Sequence, residues 1–461
     1  MPFYQIHLNN NQIIQIFVHI LMGYFASQYS SFAKLWGLSA VAIGCFLTLK
    51  YKNRFNEAAI FAAYLVGLEI LLRMTKATIF WEFGKYGTIL LLLIGLSMGD
   101  LKRHRTTPLI LIYLFSFLPS IILTPFDSLD FFRKNISFNL SGPLLLFTSF
   151  IYFRNRKIKI NEIQNILRML ILPMIAMSTV LFIRLPELDQ IRFDSEANFQ
   201  MSGGYGPNQV STGLGLVIVI IALSKAIDLT LFKKNIYDYA IIGICSIQAY
   251  LTFARGGVFT AILAIATLWV CSLSDKALKI QRMGKITLVG ILLMMLWSIA
   301  EDFTSGMIEK RYMALLNVDE QGELSGSGRI EIMASDIKIF YDNYMLGVGP
   351  GMANDLRSSY GYGRIVAAHS EFTRALAEHG LFGIVALYCL IMLSINGYLV
   401  TQSDSKYLLA CMTTFSLLTM LHSAMRLAIP GFIYGIGFLI IMNNKKRIKY
   451  VGKESERFIS K

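Results

Sequence analysis

Charged residues are scarce in this chain. Asp, Glu, Lys and Arg make up 16% of its 461 residues, whereas hydrophobic residues make up 55%. Soluble proteins carry about 25% charged residues. Apolar runs recur along the whole sequence, and each is long enough to cross the hydrocarbon core of a bilayer, about 30 Å thick, as a helix. The composition therefore excludes an ordinary soluble protein and predicts an all-α polytopic membrane protein.

Cysteines and the common catalytic motifs are also few or missing. The five cysteines all fall within apolar runs, so they predict neither a disulfide framework nor a cysteine-based metal site. The phosphate loop of ATP-driven pumps, the His-Glu-x-x-His pattern and Asp-x-Asp are absent. Few ionisable residues interrupt the runs, Glu69 and Arg168 being exceptions, and an ion-coupled transporter usually needs more of them. We expect no metal and no cofactor.

The apolar runs number about fourteen, within an expected range of about 12–14 transmembrane helices. No Lys or Arg precedes the first run, which we interpret as a transmembrane helix rather than a removed signal peptide. Residues 127–135 could instead hold an interfacial or re-entrant segment. The runs are 13–29, 33–49, 57–73, 85–99, 108–124, 139–153, 164–184, 207–224, 237–253, 256–273, 284–300, 380–399, 406–422 and 427–443.

Basic residues dominate the charge balance, giving a net charge of +14. They cluster after the even-numbered runs and in the tail, which is the positive-inside pattern and argues for anionic lipid rather than nucleic acid as the partner. Both termini are then cytosolic, and the long segment 301–375 lies outside. This predicts three parts: helices in 1–300, an outer subdomain in 301–375, and closing helices with a basic tail in 376–461.

The outer segment 301–375 is predicted to be folded rather than partly flexible. Ile330, Ile332, Met333, Ile337 and Phe340 recur at near-helical spacing. Its polar groups must face water or a substrate at one side of the bilayer. Chemistry is therefore expected there.

Two cations of the outer loops have sequence contexts that favour an anion. Arg192 lies in a loop ending Gly203-Gly204-Tyr205-Gly206-Pro207-Asn208. Glycines permit close backbone approach, Pro207 can open a helix, and helix N-termini attract anions. Arg255 lies between two runs, where Gly256 and Gly257 predict a tight hairpin that holds its guanidinium at the membrane edge, suited to a phosphate. The alternatives are a solvated Arg192 and a snorkelling Arg255.

Two further outer residues could bind or react. Arg329 follows Ser325-Gly326-Ser327-Gly328 and precedes a helical pattern, although it could be a solvated loop cation. His369 precedes Ser370, which we interpret as the cap of a helix through Arg374 and Glu378. An imidazole, with an ordinary pKa of about 6.5, can act as a base near neutral pH, but a lone His is more often structural. Arg374 and Glu378 could be a simple helix pair.

These segments together resemble one family. Gly203-Gly204-Tyr205-Gly206-Pro207-Asn208, Ala254-Arg255-Gly256, Ser327-Gly328-Arg329, Leu346-Gly347-Val348-Gly349-Pro350-Gly351 and His369-Ser370-Glu371-Phe372 with Leu376-Ala377-Glu378-His379-Gly380-Leu381-Phe382-Gly383 are similar to motifs of the O-antigen ligase/polymerase family, in that family's order. The resemblance covers about residues 192–383. It implies a GT-C-like glycosyltransferase architecture with one large periplasmic loop.

The resemblance also implies a reaction. Members take a glycan linked to undecaprenyl diphosphate and transfer it, inverting and without a metal, to an acceptor glycan or lipid. The expected function is a polysaccharide polymerase of a bacterial inner membrane, with His369 and Arg255 catalytic and with Arg192, Arg329, Asn208 and Arg374 binding substrate. Expected partners are the undecaprenyl-diphosphate-linked oligosaccharide, an acceptor, membrane lipids and a chain-length regulator, but no nucleic acid. The alternatives are an O-antigen ligase acting on lipid A-core, a flippase and a non-catalytic scaffold.

Overall fold

A computed structural model of the chain describes residues 11–98, 106–186, 197–274, 279–313 and 328–442. Helices dominate it. The α-helices are α1 Gln12–Gln28, α2 Ser30–Tyr51, α3 Glu57–Met74, α4 Phe83–Ser97, α5 Pro108–Phe115, α6 Leu129–Phe153, α7 Ile160–Ile183, α8 Pro207–Ala226, α9 Asn235–Leu251, α10 Arg255–Leu273, α11 Lys279–Phe303, α12 Met307–Met313, α13 Arg329–Asp342, α14 Ala353–Leu356, α15 Glu371–Val400, α16 Asp404–Ser423 and α17 Ile429–Ile436. Two short strands, β1 Lys157–Lys159 and β2 Ile440–Met442, pair in parallel.

The predicted all-α polytopic membrane fold is confirmed. Among the described residues, seven helices are long and apolar enough to cross a membrane. Large apolar side chains on the outer helices remain exposed, such as Phe17 at 68%, Leu35 at 63% and Met294 at 65%. Lipid tails are the solvent that such surfaces require, because a soluble protein rarely exposes large apolar patches.

Three of the predicted runs differ from the helices that form. The fifth run breaks into α5 and a 3₁₀ helix at Pro119–Leu123, since Pro119 cannot bond to the carbonyl of Phe115 and its ring clashes with it. The sixth begins earlier, so the re-entrant alternative for 127–135 is wrong. There, Ser128 Oγ caps α6 by accepting from the Phe131 amide at 3.1 Å. The last run holds only the eight-residue helix α17, about 12 Å long, and the rest of the run reaches the opposite end of the bundle as a turn and the strand β2.

The helices α3, α7 and α8 form the centre of the core. They are almost wholly buried, and α3 packs along α7 at very short range. A Cβ placed on Gly67 of α3 would lie 2.2 Å from the carbonyl oxygen of Leu170 in α7. The close crossing therefore needs glycine, as is common where helices pack in membranes.

The loops fall into two groups, one at each end of the bundle. The first group, which we call the strand end, surrounds β1 and β2. Its polar contacts join Asn53 to Gly95 and Tyr152, Gln164 to Thr230, Lys285 to Asp228, Arg282 to Asp404, and Ser405 to Ile441. The opposite group, the His369 end, has contacts that join Arg184 to Met74, Asn198 to Thr252, Asn208 to Arg329, Ser120 to His379, and Arg426 to Ala367. This grouping is the one that alternating passage of the runs through a bilayer requires.

The predicted outer segment, 301–375, overlaps helices at both of its borders. Its first residues belong to α11, which ends at Phe303, and its last belong to α15, which begins at Glu371. The amphipathic pattern forms α13, but the buried face is Ile332, Ser335, Asp336 and Ile339, whereas Ile330 and Ile337 are exposed. The helix was predicted correctly and its buried face was not, because the inner face carries a buried carboxylate.

Candidate functional site

Helix α15 is kinked at Gly380, and the glycine-rich segment 347–351 docks on that kink. Gly380 has φ 58° and ψ −133°, which opens the helical ladder. The freed carbonyls of Ala377 and Glu378 accept hydrogen bonds from the amides of Val348 and Gly349, both at 3.0 Å, and the Leu381 amide donates to Tyr344 O at 2.8 Å. Two motifs that are distant in sequence are therefore one structural unit.

The glycines of segment 347–351 are required by this docking. Gly347, Gly349 and Gly351 have φ of 73°, 94° and 83°, a region that L side chains rarely adopt. A Cβ on Gly347 would lie 2.4 Å from the carbonyl carbon of Glu378. The motif therefore positions α13 against α15, the helix that follows His369.

We expect Gly380→Ala to destabilise the protein markedly. An alanine there would need a left-handed backbone conformation, and its Cβ would lie 2.5 Å from the Tyr344 carbonyl oxygen. Strain of this kind costs about 1–3 kcal/mol. Thermal unfolding in detergent should show a lower midpoint than for Gly243→Ala, because no atom lies within 4 Å of a Cβ at Gly243. Equal midpoints for the two variants would contradict this account of the kink.

Arg374 lies in the buried first turns of α15, with every donor of its guanidinium occupied. Nε and Nη2 donate to Glu371, Nη1 donates to Glu378 at 2.7 Å and to Asn139 Oδ1 at 2.8 Å, and Nη2 also donates to the Asn139 carbonyl at 3.2 Å. The expected Arg374–Glu378 helix pair is present. The substrate-binding role of Arg374 remains a prediction, and its geometry favours a positioning role that ties α15 to α6.

Arg374→Ala should reduce folded protein rather than weaken substrate binding alone. Removal of the guanidinium leaves Glu371 and Glu378 buried without their cation, since their side chains are 6% and 0% exposed. Breaking a buried ion pair from one side costs about 3–5 kcal/mol. The yield of monodisperse protein and its unfolding midpoint measure this loss. A variant that folds like the wild type and shows only a raised KM would instead establish a binding role.

A second buried ion pair fastens the outer segment to α15. Arg357 donates from Nε to Asp336 at 2.7 Å and from Nη1 to the Val366 carbonyl at 2.6 Å. Thr373 of α15 donates to the other oxygen of Asp336 at 2.7 Å. Burial raises the pKa of Asp336, although Arg357 opposes that shift. Helix α13, the loop before His369 and α15 are thereby held together.

His369 is partly buried at the start of α15 and faces several cations. Burial lowers its pKa to about 3, and Arg426, Arg329, Arg357 and His422 lower it in the same direction. Its imidazole is therefore neutral at physiological pH. The neighbouring Ser370 occupies the predicted cap position, but its Oγ makes no cap bond and is buried without a hydrogen-bond partner among the described residues.

Arg426 is a residue of this site that the sequence reasoning missed. It lies between α16 and α17, and Nη2 donates to the carbonyls of Ala367 at 3.1 Å and Ala368 at 2.6 Å, directly before His369. Burial lowers its pKa only to about 10, so it stays cationic. The available signal was a lone Arg in an outer loop, where the positive-inside rule expects none.

Arg329 and Asn208, both predicted to bind substrate, meet in the structure. Arg329 opens α13 and donates from Nη2 to Asn208 Oδ1 at 2.8 Å. Asn208 lies in the first turn of α8, which begins at Pro207 as predicted. The contact joins the outer segment to the membrane helices beside His369.

Arg255 begins α10 and is 9% exposed. The expected glycine hairpin is wrong, because Phe253 takes the left-handed turn position at φ 55°, while Gly256 and Gly257 lie inside α10. Small residues are needed there for packing. A Cβ on Gly257 would lie 2.4 Å from the Ser211 backbone, and one on Gly256 would lie 2.3 Å from the His422 ring.

The structure thus brings together some of the predicted site residues. Arg329 and Asn208 are in contact near His369, and Arg374 is locked beneath it. Arg192 lies outside the described residues. No group of three or more His, Cys, Asp or Glu side chains suited to a metal ion occurs among the residues that the structure describes.

Comparison with known proteins gives one match. Residues 240–388 match the sequence model of the O-antigen ligase family, a segment that carries Arg255, Arg329, His369 and Arg374. No curated protein matches the chain. The matched segment supports ligase- or polymerase-type transfer of lipid-linked glycans in general. Over this segment, the match supports the predicted resemblance to the O-antigen ligase/polymerase family.

Proposed function

We propose that the protein transfers a glycan from an undecaprenyl diphosphate donor to an acceptor hydroxyl at the His369 end, facing the periplasm. The observation that carries the proposal is that Arg426 donates to the carbonyls of Ala367 and Ala368, directly before His369, while Arg329 also acts on the charge of a neutral His369. Two cations and one uncharged base suit a reaction in which an anionic group leaves while a hydroxyl loses its proton. Arg255 and Arg192 are proposed as further ligands of the diphosphate.

The proposed step balances without a metal. The acceptor oxygen attacks the anomeric carbon, and the bond from that carbon to the diphosphate oxygen breaks. The hydroxyl proton passes to an imidazole nitrogen of His369, and the diphosphate departs with the bonding electrons. Arg426 and Arg329 stabilise the charge that develops on it, since guanidinium groups fork onto phosphate oxygens. Attack opposite the leaving group inverts the anomeric configuration.

Donor binding would also change the pKa of His369. An imidazole whose pKa is about 3 is a weak base. A bound diphosphate places negative charge beside the same arginines and offsets their effect on His369, so its pKa would rise toward the ordinary value. His369 would become an effective base only when the donor is present.

We favour a polymerase over a ligase as the finer function. The experiment is a chromosomal deletion followed by electrophoresis of the surface glycan. A polymerase mutant should keep single repeat units attached to the acceptor lipid, whereas a ligase mutant should keep none. Complementation with the wild-type chain must restore the original lengths. Complete absence of attached repeats would replace the polymerase assignment by a ligase.

Transfer by the purified protein tests the enzyme class itself. The protein in nanodiscs would be given a polyprenyl-diphosphate oligosaccharide and a free acceptor oligosaccharide, and the products would be separated by mass. Extension of the acceptor supports a transferase acting at the proposed site. Loss of donor from one leaflet without any extension would identify a flippase and would overturn the proposal.

A further inference from the structure

A groove of about 570 Å³ opens at the His369 end, apart from the arginine cluster. One wall is the turn between α3 and α4, and the other is the N-terminal part of α6, from Asp130 to Phe138. Ligand sites typically have volumes of about 300–1,000 Å³ and combine aromatic walls with a few polar groups. The groove lies within that range, and the reaction described above does not use its residues.

An aromatic platform forms the first wall. Phe80 and Trp81 are 49% and 55% exposed. The guanidinium of Arg73 lies 4.8 Å from the centre of the Trp81 ring, and Glu69 holds Arg73 at 2.7 Å. The indole is therefore supported on one face by a locked cation while much of its surface stays open. Such a ring is pre-organised to stack against a flat apolar surface.

Polar groups complete the groove in a pattern that suits hydroxyls. Glu82 lines it with a side chain only 5% exposed, and Glu82 Oε1 has no hydrogen-bond partner among the described residues, although Oε2 pairs with Lys85 at 2.7 Å. Asp130 and Arg133 form an exposed ion pair at 3.0 Å on the opposite wall. A buried carboxylate oxygen needs a hydrogen-bond donor, and a hydroxyl group of a ligand can supply one.

The groove and the candidate site share a wall. Phe138 lines both the groove and a small cavity of about 20 Å³ that reaches Arg426 and Ala368. The next residue, Asn139, accepts from Arg374 at 2.8 Å. The groove is thus separated by one side chain from the cavity beside the residue before His369.

We propose that this groove binds the sugar rings of the glycan chain, with Trp81 as the stacking platform and Glu82 Oε1 accepting from a sugar hydroxyl. The inference rests on the proposed transfer at His369. One face of a pyranose ring presents C–H groups that complement the negative face of an indole. Glu82 and Asp130 would repel the phosphate of a phospholipid headgroup, whereas Arg133 and Lys134, which also line the groove, would attract it, so binding of anionic lipid is the competing outcome of the test.

The test measures binding separately from transfer. The probe is a set of oligosaccharides of one to four repeat units, cut from the surface polysaccharide of the strain that encodes the chain. Dissociation constants are measured by calorimetry with the protein in nanodiscs. Trp81→Ala should weaken binding by about tenfold, the equivalent of one aromatic stacking contact. Trp81→Phe should keep most of the affinity, which also controls for folding.

Matched variants separate the two proposals. Trp269→Ala removes another exposed indole, 40% exposed on α10, and should bind like the wild type. His369→Ala should bind the oligosaccharides normally even though it is inactive. If His369→Ala still transfers glycan while Trp81→Ala loses binding, the catalytic role of His369 is wrong and the proposal that the groove binds glycan is supported.

Three outcomes overturn the groove itself. The first is wild-type affinity in Trp81→Ala, and the second is no oligosaccharide binding by the wild type. The third is an effect of Trp81→Ala that appears only when phosphatidylglycerol replaces phosphatidylcholine in the nanodisc. That result would make Trp81 a residue of the interfacial aromatic belt.

Discussion

Replacement of His369 by alanine should lower the rate of glycan transfer by about 10²–10⁴-fold, the range that general bases contribute. The acceptor hydroxyl would then lose its proton to water, while donor binding by the arginines persists. His369→Gln should be equally slow, because an amide can accept a hydrogen bond but cannot take a proton. Initial rates at saturating donor and the donor KM measure this. Rates within threefold of the wild type in both variants would remove His369 from the mechanism.

The pH dependence of the same reaction tests whether His369 acts as the base. In the free protein, burial and the neighbouring arginines hold the pKa of His369 at about 3, so protonation should not lower kcat/KM between pH 8 and 5. With the anionic donor bound, the pKa rises, so kcat should fall at a higher pH than kcat/KM does. The acid limb in kcat should vanish in His369→Gln. Identical acid limbs in kcat and kcat/KM would contradict the proposed coupling between donor and base.

Arg426→Ala should lower transfer by about 10²–10³-fold, as expected for loss of a group that stabilises developing charge. The change also removes the hydrogen bonds that hold Ala367 and Ala368, so His369 would lose its position as well. Arg426→Lys should recover only part of the rate, because an ammonium keeps the charge but lacks the planar fork.

An exposed cation provides the control for Arg426. Arg364 lies in the outer segment 301–375, close in sequence to Ala367 and Ala368, whose carbonyls accept from Arg426, so Arg364→Ala should have little effect on rate. The unfolding midpoint of each variant shows whether it folds. A fully active Arg426→Ala would remove Arg426 from the mechanism. Equal losses in Arg364→Ala and Arg426→Ala would show that the overall positive charge matters rather than the group beside His369.

Much of the architecture could be predicted because it depends on local composition. Apolar runs and the placement of Lys and Arg determine where helices form and which loops share an end, since burying charge in hydrocarbon is costly wherever it occurs. Two failures had different origins. Pro119 broke one run, which is a local effect that hydropathy does not register. The short α17 replaced another run because the chain continues as β2, which pairs with β1 from a distant part of the sequence.

The site was only partly predictable. His369, Arg329 and Asn208 drew notice as unusual polar residues beside membrane runs, and the structure brings Arg329 to Asn208 near His369. The position of Arg426 between two runs was its only sequence signal, and it did not show that Arg426 contacts the residues before His369. The sequence also does not show that every donor of Arg374 is bonded to Glu371, Glu378 or Asn139. Those facts depend on contacts between segments far apart in the chain.

The sequence by itself determined a helical membrane protein with a folded outer segment and glycine-rich motifs of a glycan-transfer family, because hydropathy, charge placement and glycine spacing are properties of short stretches. Only the tertiary structure decided which cations face the base and which are locked in ion pairs. It also decided that the glycines serve docking at the Gly380 kink. Proximity and burial set the availability of a charged group, and both arise only when distant segments pack together.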